Sequence, residues 1–151
     1  MKSAITCTRL LAFDAGHRVF GHESKCSHAH GHRYTVEIEA RADAELDDLG
    51  RVIDFSVLKA KVGGWLDEFW DHGFIVCRKD PLCAMLALIP NCQGGMQKHY
   101  ILEVNPTAEN MAGHLGAAIC PEVLEGTGVE VIRVRIWETP NCFAEWRAPW
   151  A

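Results

Sequence analysis

The sequence lacks the features that mark secreted, membrane-spanning and nucleic-acid-binding chains. Its first residues run straight into an alternating pattern, without the apolar core of a signal peptide. No apolar run approaches the roughly 20 residues that a membrane-spanning helix needs. Acidic and basic residues are interspersed and the net charge is -5, so no basic patch for nucleic acid is predicted. We therefore expect a cytoplasmic protein that binds neither membrane nor nucleic acid.

Paired cysteine motifs are also missing. The sequence has seven cysteines but no Cys-x-x-Cys pair, which argues against a zinc ribbon held by thiolates. An odd number of cysteines without a secretion signal favours free thiols in a reducing compartment. Repeats and low-complexity tracts are absent as well. The chain has 151 residues, 48% of them hydrophobic, which suits one domain over 1–151 with a real core.

The hydrophobic period changes along the chain and predicts the order of the secondary-structure elements. Ser56 and Thr107 are the predicted N-caps of two helices, and Pro121 is the predicted end of the second one. The order β-β-α-α-β-β predicts an α+β fold in which an antiparallel sheet carries two helices on one face. The predicted elements are strands at 4–13 and 34–41, helices at 56–70 and 107–120, and strands at 129–138 and 142–147.

Residues 74–104 follow no clear period because prolines and the Gly94-Gly95 pair interrupt them. We interpret 78–98 as a long, loop-rich insert and expect a short strand near 99–104. Loops of this length are usually functional or mobile.

Four of the eight histidines lie between positions 22 and 32. Alternate residues of a strand share a face, so His30 and His32, about 6–7 Å apart, project the same way and can chelate one ion. If the first two strands pair as a hairpin, His17 meets them from the end of the first strand. Three histidines leave one position of a zinc ion open, as in catalytic zinc sites. The predicted cofactor is therefore Zn²⁺ held by His17, His30 and His32.

The spacing leaves the fourth zinc position unsettled. His28 shares the parity of His30 and His32, and Cys26 lies four residues before His30. Either residue can be a fourth ligand, and a closed site of one cysteine and three histidines would be structural and inert. Alternatively, Cys26 lies beside the metal without binding it, where a cation and imidazoles favour the thiolate and let it act as a base.

Two further sites carry acid–base groups. Asp71-His72 directly follows the first helix, and a carboxylate beside an imidazole can orient it for proton transfer, although a solvated helix end would look the same. Glu138 shares its strand face with apolar residues, so its carboxylate lies on or beside the buried side and needs a partner. An aminopyrimidine-like ring with two N–H donors would supply one. A strand-end glutamate turned to solvent is the alternative.

Six short motifs occur in an order that resembles the 6-pyruvoyltetrahydropterin synthase / 6-carboxytetrahydropterin synthase family, and they span about residues 7–147. The three residues between Cys26 and His30 are similar to the spacing in the bacterial 6-carboxytetrahydropterin synthases of queuosine biosynthesis. The motifs are Phe13-Asp14-Ala15-Gly16-His17, Cys26-x-x-x-His30-Gly31-His32, Ile53-Asp54-Phe55-x-x-Leu58-Lys59, Asp71-His72, Asn105-Pro106-Thr107-Ala108-Glu109-Asn110 and Trp137-Glu138-Thr139-Pro140.

This resemblance implies the tunnelling fold and a homo-oligomer, typically a hexamer, with active sites between subunits. It implies a lyase that converts 7,8-dihydroneopterin triphosphate to 6-carboxytetrahydropterin, acetaldehyde and triphosphate. The alternative is the sister activity of 6-pyruvoyltetrahydropterin synthase, which eliminates triphosphate only. The long insert and the extra His28 depart from the family pattern, and the insert leaves the exact substrate open.

The resemblance also implies a role for each site residue. Lys25, Arg18 and Arg33 are candidates for binding the triphosphate by proximity only. Two other interpretations remain: a non-catalytic protein whose zinc is closed by Cys26, and a zinc hydrolase, which gives no role to Glu138. The implied roles are zinc ligands for His17, His30 and His32, proton-abstracting base for Cys26, proton relay for Asp71 and His72, pterin anchor for Glu138, and part of the pterin pocket for Thr107.

Overall fold

Six strands form one mixed sheet in the order β4-β3-β1-β2-β5-β6. The structure, a computed structural model, describes residues 3–151; Met1 and Lys2, which the predicted domain includes, lie outside the described residues. The strands are β1 (Thr6–His17), β2 (His30–Ala42), β3 (Gly73–Cys77), β4 (His99–Leu102), β5 (Val129–Thr139) and β6 (Cys142–Arg147).

A long antiparallel hairpin of β1 and β2 forms the centre of the sheet. The pairing runs from Thr6 opposite Arg41 to His17 opposite His30. On β2, Val36 and Ile38 are fully buried, while Glu37 between them is partly exposed. A slip of one residue would turn these apolar side chains to solvent, so their burial fixes the register. The predicted hairpin is therefore present, with His17 where the sequence placed it.

Two parallel strands extend the sheet beyond the antiparallel part that the sequence predicted. β3 pairs in parallel with the end of β1, and β4 pairs in parallel with β3. The short strand expected near 99–104 is β4, whereas β3 was missed. The β3 run is almost wholly buried, so it shows no alternation of apolar and polar residues that would reveal a strand.

Two long helices cover one face of the sheet, and each contains a π-helical turn in its middle. Thr107 caps the helix that begins at Ala108, as predicted. Asp54, not Ser56, caps the helix that begins at Phe55, by accepting from the backbone N–H of Ser56. No helix within residues 3–151 has the length and apolar character needed to cross a bilayer. α1 comprises Phe55–Leu58, the π turn Lys59–Gly63 and Gly64–Phe69; α3 comprises Ala108–His114, the π turn Leu115–Ile119 and Cys120–Val123.

Pro121 does not end α3, contrary to the prediction. The helix continues to Val123, with Pro121 in the first turn of its last segment. A proline inside a helix normally clashes with the carbonyl four residues earlier and lacks an N–H donor. Here the π turn Leu115–Ile119 directly precedes it and shifts the hydrogen-bond spacing to five residues, which accommodates the ring.

The region predicted as a loop-rich insert contains a short helix, α2 (Pro81–Leu86). Asp80 caps it by accepting from the backbone N–H of Leu82, and Pro81 occupies its first turn, where a missing N–H costs nothing. Further on, Pro90 and Met96 form an isolated bridge that closes a small turn. The insert thus contains regular secondary structure, and α2 corrects the prediction that this region is a loop.

Two glycines of α3 lie against Trp146 of β6 and form a matched pair of test sites. A Cβ at Gly116 would lie 2.1 Å from Cε3 of the ring, whereas one at Gly113 would lie 4.0 Å from Cδ1. We expect Gly116→Ala to lower the free energy of unfolding by about 1–3 kcal/mol, because the ring must move. Gly113→Ala should leave it unchanged or raise it by up to about 1 kcal/mol. Urea denaturation measures both, and equal effects at the two positions would contradict this packing.

Candidate metal centre and acid–base groups

Three histidine side chains converge at the end of the β1–β2 hairpin. The Nε2 atom of His17 lies 3.1 Å from the Nε2 atoms of both His30 and His32. The register places His17 opposite His30 and Ala15 opposite His32, and alternate residues of β2 face the same side. Strand geometry alone therefore brings the three rings together.

Backbone carbonyls determine which ring nitrogen carries hydrogen in two of these histidines. Nδ1 of His17 donates to the carbonyl oxygen of Pro106, and Nδ1 of His30 donates to that of His28, each at 2.7 Å. A carbonyl can only accept, so Nε2 keeps its lone pair when the ring is neutral. Lone pairs then face each other across 3.1 Å and repel unless a cation or a second proton lies between them. Nδ1 bonds of this kind are typical of metal-ligating histidines.

The Glu138 carboxylate is the fourth member of this donor group. Its Oε1 lies 2.9 Å from Nε2 of His32 and 3.5 Å from Nε2 of His17. Hydrogen bonding from the His17 ring, when that ring carries a second proton, holds the pKa of Glu138 below its usual value, although burial opposes this. Burial lowers the pKa of His32 and so favours its neutral, ligand-ready form. One ligand atom from each of the four residues lies within 4.8 Å of all the others.

The dimensions of the donor group suit a zinc-sized ion. Two ligand atoms bound tetrahedrally at about 2.0–2.1 Å lie roughly 3.3 Å apart, close to the separation of the Nε2 atoms. Imidazole nitrogen and carboxylate oxygen are both ligand types that zinc takes. Within residues 3–151, neither Cys26 nor His28 belongs to the group. The residue beside the three histidines is Glu138.

Cys26 lies in a short 3₁₀ turn, Lys25–Ser27, between the two strands that carry the histidines. Its side chain is partly buried and not in a disulfide. Its backbone carbonyl accepts from the N–H of Val19 at 2.8 Å, which draws the turn back towards the end of β1. Cys26 is therefore held near the end of the hairpin without being a member of the donor group.

The predicted Asp71–His72 pair is formed. Asp71 Oδ2 lies 2.6 Å from Nδ1 of His72, and its Oδ1 accepts from the backbone N–H of Asp14 at 2.8 Å. Burial raises the pKa of Asp71, but these two hydrogen bonds outweigh it and hold the pKa low. The His72 side chain is 78% exposed. Within the described part of the chain, no hydrogen bond or ring contact joins the pair to the three histidines. The pair and the histidines therefore form two distinct groups.

Carboxylates already hold two of the three residues suggested for the triphosphate. Arg18 forms a two-pronged ion pair with Asp80, whose side chain is fully buried. Arg33 pairs with Asp14 at 2.7 Å. Among residues 3–151, only Lys25 of the three has no carboxylate partner, and it lies in the same 3₁₀ turn as Cys26. Arg18 therefore ties the chain after His17 to α2 rather than standing free for a phosphate.

Sequence reasoning missed three partners on which the site depends. The Asp14 backbone holds the Asp71–His72 pair, Asp80 holds Arg18, and the Pro106 carbonyl orients His17. The Asp-Pro pair at 80–81 is a helix-start signal that could have located Asp80. The other two partners act through backbone atoms, for which residue types give no signal. Thr107, predicted to line the pterin pocket, lies next to Pro106 and uses its hydroxyl to cap α3.

Comparison with known proteins identifies relatives over almost the whole chain. The family model described as 6-pyruvoyl tetrahydropterin synthase matches residues 6–149. A curated relative from Rickettsia felis, named 6-carboxy-5,6,7,8-tetrahydropterin synthase, is 46% identical over 141 residues, which cover 93% of this chain and 99% of the relative.

Solved structures show the same fold. An uncharacterized protein from Wolinella succinogenes has a TM-score of 0.77 at 24% identity, covering 95% of this chain and 97% of that one. The 6-pyruvoyl tetrahydropterin synthase of Caenorhabditis elegans has a TM-score of 0.65 at 22% identity, covering 95% of both chains. These likenesses confirm the predicted α+β fold class.

The Arg18–Asp80 ion pair makes part of the stability depend on pH. Its hydrogen bonds hold the pKa of Asp80 below the usual value. The stabilisation is therefore complete above the unfolded-state pKa of about 3.9 and is lost as the pH falls through the lower folded-state pKa. Asp80→Asn keeps the oxygen that caps α2 but removes the charge. We expect it to lower the free energy of unfolding by about 1–3 kcal/mol at neutral pH.

Urea denaturation of Asp80→Asn over a series of pH values measures this effect. The deficit relative to the wild type should shrink in acid, where Asp80 itself becomes protonated. Asp48→Asn, at an exposed position, is the control and should follow the wild type. A deficit that stays constant down to the acid limit would show that the ion pair is not its source.

Proposed function

This chain belongs to the 6-pyruvoyl tetrahydropterin synthase family, and we propose that it is a zinc-dependent 6-carboxy-5,6,7,8-tetrahydropterin synthase. The observation that carries the proposal is the convergence of His17, His30 and His32 near the turn that holds Cys26. The proposed reaction converts 7,8-dihydroneopterin triphosphate to 6-carboxytetrahydropterin, acetaldehyde and triphosphate, as a lyase step towards queuosine. The name of the Rickettsia felis relative supports the 6-carboxy product over the 6-pyruvoyl product.

In this proposal His17, His30 and His32 hold zinc. When bound, zinc would supply a Lewis acid that stabilises negative charge on the side-chain oxygens of the substrate. The carbonyls of Pro106 and His28 orient the rings through Nδ1 and leave Nε2 facing the common centre. Partners of this kind usually matter for metal affinity nearly as much as the ligands do.

Glu138 is the proposed anchor of the pterin ring. An aminopyrimidine edge presents two N–H donors, and an ionised carboxylate accepts such a pair through charge-assisted hydrogen bonds. The low pKa of Glu138 keeps it ionised at neutral pH. Without a ligand its Oε1 contacts His32 at 2.9 Å, so substrate binding exchanges this contact for the pterin N–H groups.

Cys26 and His72 are the proposed proton-transfer groups. The Cys26 thiolate removes a proton from a substrate carbon, and His72 delivers or accepts a proton at a second position. Asp71 accepts a hydrogen bond from Nδ1 of His72 at 2.6 Å, which leaves Nε2 of that ring free to exchange protons. Thr107, which follows Pro106 directly, is the proposed contribution of the α3 N-terminus to the pterin pocket.

Assembly of several copies is part of the proposal, because the family resemblance implies active sites between subunits and, within residues 3–151, no hydrogen bond joins the proton relay to the donor group. The exposed His72 is available to a neighbouring molecule. β1 pairs with β3 only from Ala15 onwards, and the Asp14 backbone bonds to Asp71 and His72, so residues 6–13 leave an open edge there. On the other side, β6 forms the far edge of the described sheet. Unpaired edges are templates for pairing with another chain. We propose a homo-oligomer, with a hexamer expected, in which His72 of one copy serves Cys26 of another.

Product analysis with 7,8-dihydroneopterin triphosphate tests the proposed reaction. Zinc-loaded wild type should form 6-carboxytetrahydropterin and acetaldehyde, detected by chromatography and mass spectrometry. Cys26→Ala should react at least about 100-fold more slowly, because it lacks the base. Elemental analysis should show that it keeps its zinc. Cys142→Ala removes an exposed cysteine and should match the wild type.

Each other outcome of this assay selects a different interpretation. Pyruvoyltetrahydropterin as the sole product would assign the sister activity. No turnover of any pterin by the wild type would exclude both synthases. Loss of zinc in Cys26→Ala would favour a structural site that includes the thiolate.

Mixing two inactive variants tests whether the active site is shared between copies. Cys26→Ala and His72→Ala each lack one proton-transfer group. If the two groups come from different copies, random hybrids should regain about a quarter of wild-type activity, the fraction of sites with both groups intact. Cys26→Ala mixed with Glu138→Ala is the control, since both lie on the donor-group side and no hybrid site is complete. Inactive Cys26→Ala/His72→Ala hybrids, verified by native mass spectrometry, would show that both groups act within one chain.

A further inference from the structure

The side-chain amide of Asn105 makes a reciprocal pair of hydrogen bonds that the proposed chemistry does not use. Its Oδ1 accepts from the backbone N–H of Phe20, and its Nδ2 donates to the carbonyl oxygen of Phe20, both at 2.9 Å. One amide thus pairs with one backbone residue as a neighbouring strand would. Phe20 belongs to the segment that connects β1 to β2, residues 18–29, here called the Cys26 loop.

We propose that Asn105 is a positioning residue that holds the Cys26 loop, and with it the thiol, at the end of the hairpin. The link from this role to turnover rests on the proposed function. The positioning itself is a statement about the folded chain and can be measured without substrate.

The Asn105 side of this contact is rigid. The Asn105 carbonyl accepts from the N–H of Thr107 at 2.8 Å, closing a three-residue turn around Pro106, and from Nδ2 of Asn110 at 2.9 Å. Proline restricts the backbone of such a turn. Thr107 caps α3, and α3 is fixed in the core by the fully buried Met111. A group anchored in this way can impose its position on a loop.

On the loop side, the restraint reaches Cys26 through one further hydrogen bond. Phe20 follows Val19, whose N–H donates to the carbonyl oxygen of Cys26 at 2.8 Å. His17, at the start of the loop, is tied to the same turn through the Pro106 carbonyl. His17 and the Cys26 loop are therefore both hydrogen-bonded to the turn 105–107, and this shared anchor fixes their relative position.

The other contacts of the loop do not supply this restraint. The Arg18–Asp80 pair holds only the first residue of the loop. Ser24 accepts from the Ser27 hydroxyl at 2.8 Å and donates its N–H to Nδ1 of His22 at 2.9 Å, and these bonds are internal to the loop. They shape the turn without fixing it to the rest of the molecule. The His28 carbonyl accepts from Nδ1 of His30, but this bond holds the far end of the loop to β2, beyond the turn that carries Cys26. Among residues 3–151, Asn105 is thus the side chain outside the loop whose hydrogen bonds lie next to the Val19–Cys26 contact.

The test compares Asn105→Asp with Asn91→Asp. Aspartate at 105 keeps an acceptor for the Phe20 N–H but sets a second oxygen against the Phe20 carbonyl, so the pair opens. In the described part of the chain, Asn91 bonds through Oδ1 alone, which accepts from the backbone N–H groups of Gln93 and Gly95. The same change there therefore preserves both bonds. Asn105→Ala removes both bonds without adding charge and serves as the second variant.

We expect amide hydrogen exchange over residues 18–26 to be about 10-fold faster in Asn105→Asp and Asn105→Ala, because the loop opens more often. Peptide-resolved alkylation of Cys26 should also rise about 10-fold. Asn91→Asp should change neither. Zinc content and melting temperature should stay near wild type, and kcat with the proposed substrate should fall about 10- to 100-fold with a smaller change in KM.

Exchange and alkylation within about twofold of wild type in both Asn105 variants would overturn the positioning role, whatever their activity. If one of the two Asn105 variants fails to fold, exchange and alkylation of the other variant test the positioning role. Faster exchange in these variants, together with a wild type that turns over no pterin, would leave the positioning role standing and remove the proposed function. The two ideas therefore fail separately.

Discussion

The register of the β1–β2 hairpin is the constraint on which the candidate site depends. With His17 opposite His30, all three imidazoles fall on the side of the sheet that the helices cover. A shift of one residue would send the β2 histidines to the other face. The histidines do not hold this register themselves. It is held by the apolar residues behind them, where Phe13 stacks on Tyr34 with ring centres 4.8 Å apart and both rings are fully buried. The core therefore places the ligands.

Such a donor group is costly to assemble without an ion. Two rings whose Nδ1 atoms bond to carbonyls bring their Nε2 lone pairs to 3.1 Å from each other, and the Glu138 carboxylate adds negative charge beside them. Neither ring can turn its Nε2 away without giving up its carbonyl. The repulsion is relieved by a proton shared with Glu138 or by a bound cation, and anything that binds the folded state stabilises it. The donor group therefore favours a bound cation, and the packed core holds the hairpin in the conformation that binds it.

Local patterns predicted what local forces determine. The Thr107 cap depends on residues three apart, and the common face of His30 and His32 depends only on strand alternation, so both were accessible from the sequence. The buried strand β3 was missed because burial on both faces removes its alternation. The π turn that lets α3 pass through Pro121 has no residue signature. The Glu138 carboxylate was expected to need a buried partner, but a single strand could not reveal that the partners are histidines of other strands.

Contacts distant in sequence account for the rest of the site. Arg18 and Asp80 are 62 residues apart in sequence, and Phe20 and Asn105 are 85 apart. The short windows used to read local patterns therefore contain neither pair. Both pairs tie the stretch after His17 to the second half of the chain. The Asp71–His72 pair is instead anchored to Asp14, one strand position beyond the histidines, and no bond within residues 3–151 joins it to them.

Two rigid units therefore meet at β1, one carrying the donor group and the other the proton relay. The sheet sets their relative position, because Ala15 pairs with His32 on one side and with Gly73, which follows His72, on the other. In the assembly that we propose, His72 of one copy serves Cys26 of another. In that case each unit can be optimised for its own anchor, and the distance between them becomes a property of the interface.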